Sequence, residues 1–406
     1  MKTLKFTSAV KSILILCLVM GFQYANAQDS TQDKPRSPGM KFLLSGDAYM
    51  GLRYSPSKGT TKASFTFTNM GVNPVFLWKF RDNLLFEGEV EFQNRNPHPN
   101  GYAVGEGLEV ELEYCNIAYI VNDYMIIRAG TFFSTMGVFE DWHHQRITNK
   151  MISRPLGIGH GGLESGTDLG FNIRGAIPLG TAKMNYSVDF TSGPRLLLDE
   201  DPEEGTHAGQ LEWEGITDNN LNKAIGARIG ILPFSNSSLE IGVSAQHSKL
   251  GDYKSAYQNV AANYVGADLC YNKDIDAIKG TIVFRSQYAN QKIDNVNYAV
   301  PGDTTGNKYT FNNKATAYFG QLSYRPTQTT NKFLRKVELA ARYGVLDNPK
   351  GSKWGADKKQ FALALDYWIA WNAVIKFAYE QDYLKNDLGV KSIAPTRYLF
   401  QVAMGF

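Results

Sequence analysis

The sequence predicts an all-β fold, a transmembrane antiparallel β-barrel of about 16 strands, along 406 residues. Three observations predict it. Apolar residues recur at every second position in long runs, the connections between runs alternate between tight and long, and the composition leaves few other classes standing. Of the residues 43% are hydrophobic, 20% charged and 13% aromatic, which excludes a disordered chain. A mean hydropathy of -0.29 excludes a bundle of membrane helices.

Residues 1 to 27 read as a secretory signal peptide. Lys2, Lys5 and Lys11 supply the positive start, Ile13 to Phe22 the apolar run, and Ala25-Asn26-Ala27 the small-residue cleavage site. Residues 28 to 39 then form a short periplasmic segment, and 40 to 406 the barrel. The chain holds 42 bases and 39 acids, and three of the bases lie in the signal, so the exported part is formally neutral. No broad basic field exists to attract nucleic acid. Cys115 and Cys270 fall on segments far apart in strand order and read as wall residues rather than a disulfide.

Sixteen strands are expected near 40–54, 61–80, 84–93, 107–121, 124–133, 167–177, 181–191, 221–232, 238–248, 258–271, 276–288, 314–325, 334–346, 358–370, 372–383 and 395–406. The alternation is plain in Phe42-Leu44-Gly46-Ala48-Met50-Leu52-Tyr54, in Leu239-Ile241-Val243-Ala245-His247 and in Tyr398-Phe400-Val402-Met404-Phe406. Nine such runs supply 48 apolar-face positions without one Asp, Glu, Lys or Arg, where 20% charge would place about ten. The second strand needs a bulge near Gly71 to Pro74, because proline cannot donate to the ladder.

A soluble sandwich also alternates. The runs here exceed the roughly five or six residues of soluble strands and reach the length that a tilted strand needs to cross hydrocarbon. Tight connections such as Arg81-Asp82-Asn83, Asn122-Asp123, Asn272-Lys273-Asp274 and Ala370-Trp371-Asn372 alternate with long polar ones, as they do in membrane barrels. The oily face is therefore assigned to lipid and the charged face to the lumen.

Residues from about Ala118 to Gly175 resemble the phosphate-selective porin O/P family of Gram-negative outer membranes. The resemblance is carried by Ala118-Tyr119, Arg128-Ala129-Gly130-Thr131-Phe132-Phe133, Gly137, Arg154-Pro155-Leu156, Asp168-Leu169-Gly170 and Arg174-Gly175. It covers about a seventh of the chain by motif, and the carboxy-terminal aromatic, Phe406, resembles the end signature of such barrels. It implies a 16-stranded pore, usually a homotrimer, whose third loop folds inward. That loop is Ser134 to Gly166, with Arg146, Lys150 and Arg154 near its middle.

With the polar face inward, the third and fourth strands present Glu87, Glu89, Glu91, Glu109, Glu111 and Glu113 and no base. From the fifth strand onward the inward bases are Arg128, Arg174, Lys183, Arg228, Lys279, Arg285, Lys336, Arg342, Lys376 and Arg397. They are set against Asp168, Asp189, Glu240, Asp268, Glu338, Asp366 and Glu380. Opposed walls of this kind orient dipolar solutes and exclude oily ones.

The expected function is passive diffusion of small hydrophilic solutes, with the basic wall and loop bases guiding anions such as phosphate. Any one inward base is twice as readily explained by a wall carboxylate as by a ligand, and the six glutamates depart from a base-lined channel. Expected partners are outer-membrane lipids and lipopolysaccharide, which divalent cations at Asp199 to Glu204 could bridge; no cofactor is expected. Glu140, His143 and His144 lack metal-site spacing, and no serine motif supports a hydrolase. The rival reading is a non-conducting barrel that serves as adhesin or assembly partner. The segment 28–39 is too short for a plug domain.

Overall fold

The computed structural model describes residues 40–59, 62–94, 109–143, 146–159, 162–164, 166–198, 200–201, 205–213, 218–300, 303, 305–352, 354 and 356–406. The expected signal, the 28–39 segment and most of the acidic run Asp199 to Glu204 lie outside these residues. Sixteen long strands follow: β1 (Lys41–Ser55), β2 (Ser64–Arg81), β3 (Leu84–Asn94), β4 (Glu109–Asn122), β5 (Met125–Phe133), β6 (Thr167–Leu179), β7 (Ala182–Thr191) and β8 (Ala224–Leu232). The circuit continues with β9 (Leu239–Lys249), β10 (Ala261–Ile275), β11 (Gly280–Ile293), β12 (Lys314–Arg325), β13 (Val337–Asp347), β14 (Asp357–Ala370), β15 (Ala373–Lys385) and β16 (Arg397–Gly405). Each pairs antiparallel with its chain neighbours, and β16 pairs back onto β1 from Asp47↔Gly405 to Tyr54↔Tyr398, so the sheet closes. A short strand, Lys391–Ile393, hangs on the end of β15.

Closure explains how a sheet of this size survives in lipid, where an unpaired edge has no water to satisfy it. Beyond the ladder the seam is locked by Gly46 and Phe406, whose backbone groups exchange hydrogen bonds of 3.1 and 3.0 Å. A side chain at Gly46 would drive its Cβ to 2.2 Å from the Asn73 carbonyl, so this joint requires glycine.

The outer face is oily along its whole circumference: Phe171, Ile225, Val243, Val265, Leu322, Leu363, Phe377 and Phe400 are all exposed. Aromatics gather at both rims, with Phe42 on Trp78 at 5.1 Å and Phe333 on Tyr367 at 5.5 Å at the turn end, and Tyr54 on Tyr398 at 6.1 Å at the loop end. These are the interfacial belts of a membrane barrel. Val243, 58% exposed near the middle of β9, sits deep in that band. Val243→Arg is expected to cost about 2–4 kcal/mol of stability, read from urea unfolding in lipid vesicles.

Four details differ from the sequence reading. Glu113 is a bulge: Val90 pairs with Leu112 but Glu89 with Tyr114, so the faces exchange and Tyr114, Asn116 and Ala118 turn inward while Ile117 and Tyr119 face out. The β2 irregularity lies opposite Gly51, where Met50 pairs with Met70 and Leu52 with Phe67, whereas Pro74 only interrupts pairing with β3. No extra residue is needed at Pro74, because a missing N–H costs a rung and not the register. The β10–β11 turn falls at Asp276–Ile278 with Lys279 left-handed at φ 52, so Asn272-Lys273-Asp274 continues the strand. Lys279 thus belongs to a turn, and Lys336 ends a short helical turn over the Tyr367 ring, so neither lines the lumen.

Candidate functional site

The loop from Ser134 to Gly166 is seated inside the barrel, and its own residues explain how. Ser134 N donates to Gly166 O at 3.0 Å, which ties its two ends together. Met136, Phe139, Ile158 and Leu163 pack with Tyr264, Ala289, Ala315, Ala317 and Phe319. Met151 sits against Ala340, Ala362, Ala364 and Ala378, and Ile147 against Tyr49, Trp368, Val374 and Ala403. Inward alanines on β12 to β16 leave room for these side chains, and burying each large one stabilises the seat by roughly 1.5–3 kcal/mol.

Polar contacts fix the register of that seat. Thr135 Oγ1 donates to Asp189, and the backbone N–H groups of Val138 and Phe139 donate to Gln287 Oε1 at 3.1 and 3.3 Å. A short helix, α1 (Phe139–His143), carries Asp141, which accepts both Arg174 Nη1 and Nη2 at 3.2 and 2.9 Å. Arg285 Nη1 donates to Thr148 O at 3.1 Å, and Lys376 Nζ to the carbonyls of Arg146, at 2.6 Å, and Asn149. Arg342, 1% exposed, donates to Ser153 O at 2.8 Å and Arg154 O at 3.0 Å. The bases that read as a lumen wall are largely what holds the loop.

The remaining site residues have partners too. Arg228 pairs with Glu240 at 2.8 Å and Asp268 at 2.6 Å. Lys150 pairs with Glu338 at 3.1 Å and lies over the Trp368 ring at 5.0 Å. Arg154 pairs with Glu140 at 3.2 Å. Arg146 donates its backbone N–H to Asp47 at 3.1 Å, and its guanidinium lies 4.5 Å from the Tyr49 ring centre. Arg128 Nε donates to Asn172 at 2.9 Å and the group stacks on Phe132, while its buried Nη2, like Arg342 Nε, has no hydrogen-bond partner.

The glutamates of β3 and β4 form one face. Tyr114 donates to Glu87 at 3.2 Å and Tyr49 to Glu91 at 3.3 Å, while Glu91 and Glu111 are direct cross-strand partners and Glu109 lies opposite Gln93. Glu113 stands at the bulge. The loop's described hydrogen bonds and packing contacts fall on β1, β6 to β8 and β10 to β16, and its Arg146 also faces the Glu91 carboxylate of β3.

Glu164, on the loop, accepts hydrogen bonds from Tyr264 OH at 2.8 Å, from Gln287 Nε2 and from Gly159 N at 3.1 Å. Burial nevertheless pushes its carboxyl up to about 8, outweighing those donors, with the Glu140 carboxylate acting in the same direction. The docked loop holds a proton that a free loop releases, so docking weakens as pH rises from about 4.5 to about 8. Open-channel noise is expected to grow across that window, and Glu164→Gln to flatten the dependence.

Sequence reasoning missed Tyr264, Gln287 and the alanine seat. The inward alanines were a visible signal, but their meaning depends on what packs against them.

No family model matches the chain, and no curated protein matches it. Among solved structures, the outer membrane channel DcaP of Acinetobacter baumannii is similar at 13% identity, with a TM-score of 0.56, over 93% of this chain and 100% of that one. OmpF of Salmonella typhi, solved with daunomycin, is similar at 14% identity, with a TM-score of 0.54, over 91% and 98%. The fold is a porin barrel. An anion-selective porin from Comamonas acidovorans shares it at 11% identity, with a TM-score of 0.52, over 91% and 100%.

Proposed function

We propose that the protein is an outer-membrane porin through which small hydrophilic solutes diffuse passively, exported by the signal in residues 1 to 27. The observation that carries this reading is a closed 16-strand barrel, oily outside and charged within, whose inner loop packs against the wall. A barrel of this strand number encloses water unless it is filled.

The finer reading, a preference for anions such as phosphate, follows from the O/P resemblance. We read a cation preference as the alternative: Arg146, Lys150 and Arg154 are engaged by the wall and the loop itself, and Glu87, Glu91 and Glu111 lie together on β3 and β4. Acidic walls concentrate cations. Planar-bilayer recording in a potassium chloride gradient is the test. Steady open steps and a reversal potential favouring potassium by about threefold are expected, falling toward parity when Glu87, Glu91 and Glu111 become Gln. A chloride-favouring potential would support the anion reading, and absence of conductance would support an adhesin or assembly role. A homotrimer and contact with lipopolysaccharide belong to the same proposal, the trimer being checked by crosslinking in native membranes.

A further inference from the structure

On the outer surface, at the loop end, two lysines face each other across the ladder. Lys292, near the end of β11, and Lys314, which opens β12, are direct cross-strand partners, and both are exposed. Their chain neighbours Gln291, Ile293 and Ala315 are buried on the lumen side, so both ammonium groups lie on the lipid side of the wall. Like charges placed directly opposite one another repel. Among the described residues no ion pair answers them: Asn263 stands on the other side of Lys292, Asp294 accepts the Ala261 N–H at 3.0 Å, and Asp347 lies opposite Thr316. Two other pairs of bases meet on the described ladder, and each has an acid at hand. Lys79, opposite Lys41, binds Asp82 at 2.6 Å, and Lys385, opposite Lys391, faces Asp357 on its other side.

The rungs beneath fix the height of the lysine pair. Two residues down each strand, Asn290 donates to Thr316 Oγ1 at 2.7 Å, and two further down Tyr288 faces Tyr318, both exposed. The outer face thus passes from an aromatic rung through an amide and hydroxyl rung to a doubly cationic one. Aromatic girdles mark the membrane boundary of a barrel, and four residues carry a strand ~13 Å onward, or about 10 Å in height at the usual tilt. That is the level of lipid headgroups, and flexible lysine stems lie along the wall to deliver charge there. Asn263, exposed beside Lys292 and 2.9 Å from the His247 ring, extends the polar row onto β10 and β9.

We infer that Lys292 and Lys314 clamp a phosphate monoester on the headgroup of lipopolysaccharide, its lipid A portion, with Asn263 as a further donor. This deepens the porin reading and rests on it for the membrane setting. A phosphate dianion answers both lysines at once, so the clamp holds without a bridging divalent cation.

The test is titration of the folded barrel with lipid A in neutral detergent containing EDTA, read by native mass spectrometry, with the folded fraction scored by heat-modifiable gel mobility. Bisphosphorylated lipid A is expected to bind at least about tenfold more tightly than its dephosphorylated form. Lys292→Gln and Lys314→Gln should each weaken it about fivefold and the double variant about thirtyfold, leaving the dephosphorylated form unaffected. Lys308→Gln, which removes the same charge from an exposed position on the loop strand Lys308–Tyr309, should change nothing. Equal binding of the two lipid forms, or a loss in Lys308→Gln as large as in either rim variant, overturns the clamp. Displacement of the lipid by excess inorganic phosphate overturns it too, by assigning the lysines to a free anion. Conductance of the double variant should match that of the unaltered protein; absence of conductance in both overturns the porin reading while the lipid titration still decides the clamp.

Discussion

Deleting residues 136 to 163 and bridging the gap with a short turn raises single-channel conductance about threefold or more, because the loop is the principal described mass inside the barrel. No rung of the ladder uses the loop, so the strands still close. The cost falls on the lining: Lys376, Arg342 and Glu338 lose partners that now neutralise or cap them. Water entering the widened lumen satisfies those groups, so the barrel folds with reduced thermal stability rather than failing. Conductance in planar bilayers measures the first effect and the temperature of gel-mobility change the second. An unchanged conductance would mean that the loop does not restrict the passage.

Arg342→Met gives the second large effect with one substitution. The guanidinium is buried in the loop seat, where it binds two loop carbonyls and the Gln360 side chain. Methionine fills much of the same space but donates nothing, so the Ser153 and Arg154 carbonyls and Gln360 Oε1 lose their donor, while Glu380 keeps its Arg397 partner at 3.0 Å. Each buried acceptor left unsatisfied costs about 1–3 kcal/mol. The loss falls on docking of the loop, since the strands on either side are held by their own ladders. Expected are flickering between two conductance levels and fast amide exchange at residues 149 to 156. Arg342→Lys restores the charge but reaches only one carbonyl, so it rescues partially. Quiet, single-level openings in Arg342→Met would show that the alanine seat alone holds the loop.

How far the sequence revealed this molecule depended on whether a feature is periodic or relational. The strands were legible because their signal repeats every second residue and lipid tolerates no exception; β12 was placed at 314–325 without error. The Glu113 bulge was not, since no glycine or proline marks it and both parities around it read as apolar. The Asn272-Lys273-Asp274 segment shows the converse failure, where turn-like composition outweighed a ladder that runs on to Ile275. For the lumen, parity revealed that Arg285 and Arg342 point inward but not what they touch. Their partners lie 137 and 188 to 189 residues away in the chain, and no local pattern encodes such a meeting.

The joint between Gly46 and Phe406 carries a temporal consequence. The first strand made and the last are obligate neighbours, so the first spends nearly the whole of synthesis and transit with one flank unsatisfied. Until the final nine residues arrive the hoop is open, and an open hoop cannot rest in hydrocarbon. Assembly is therefore a single commitment taken at the end, and whatever escorts the unfinished chain must shield that flank until the ring snaps shut.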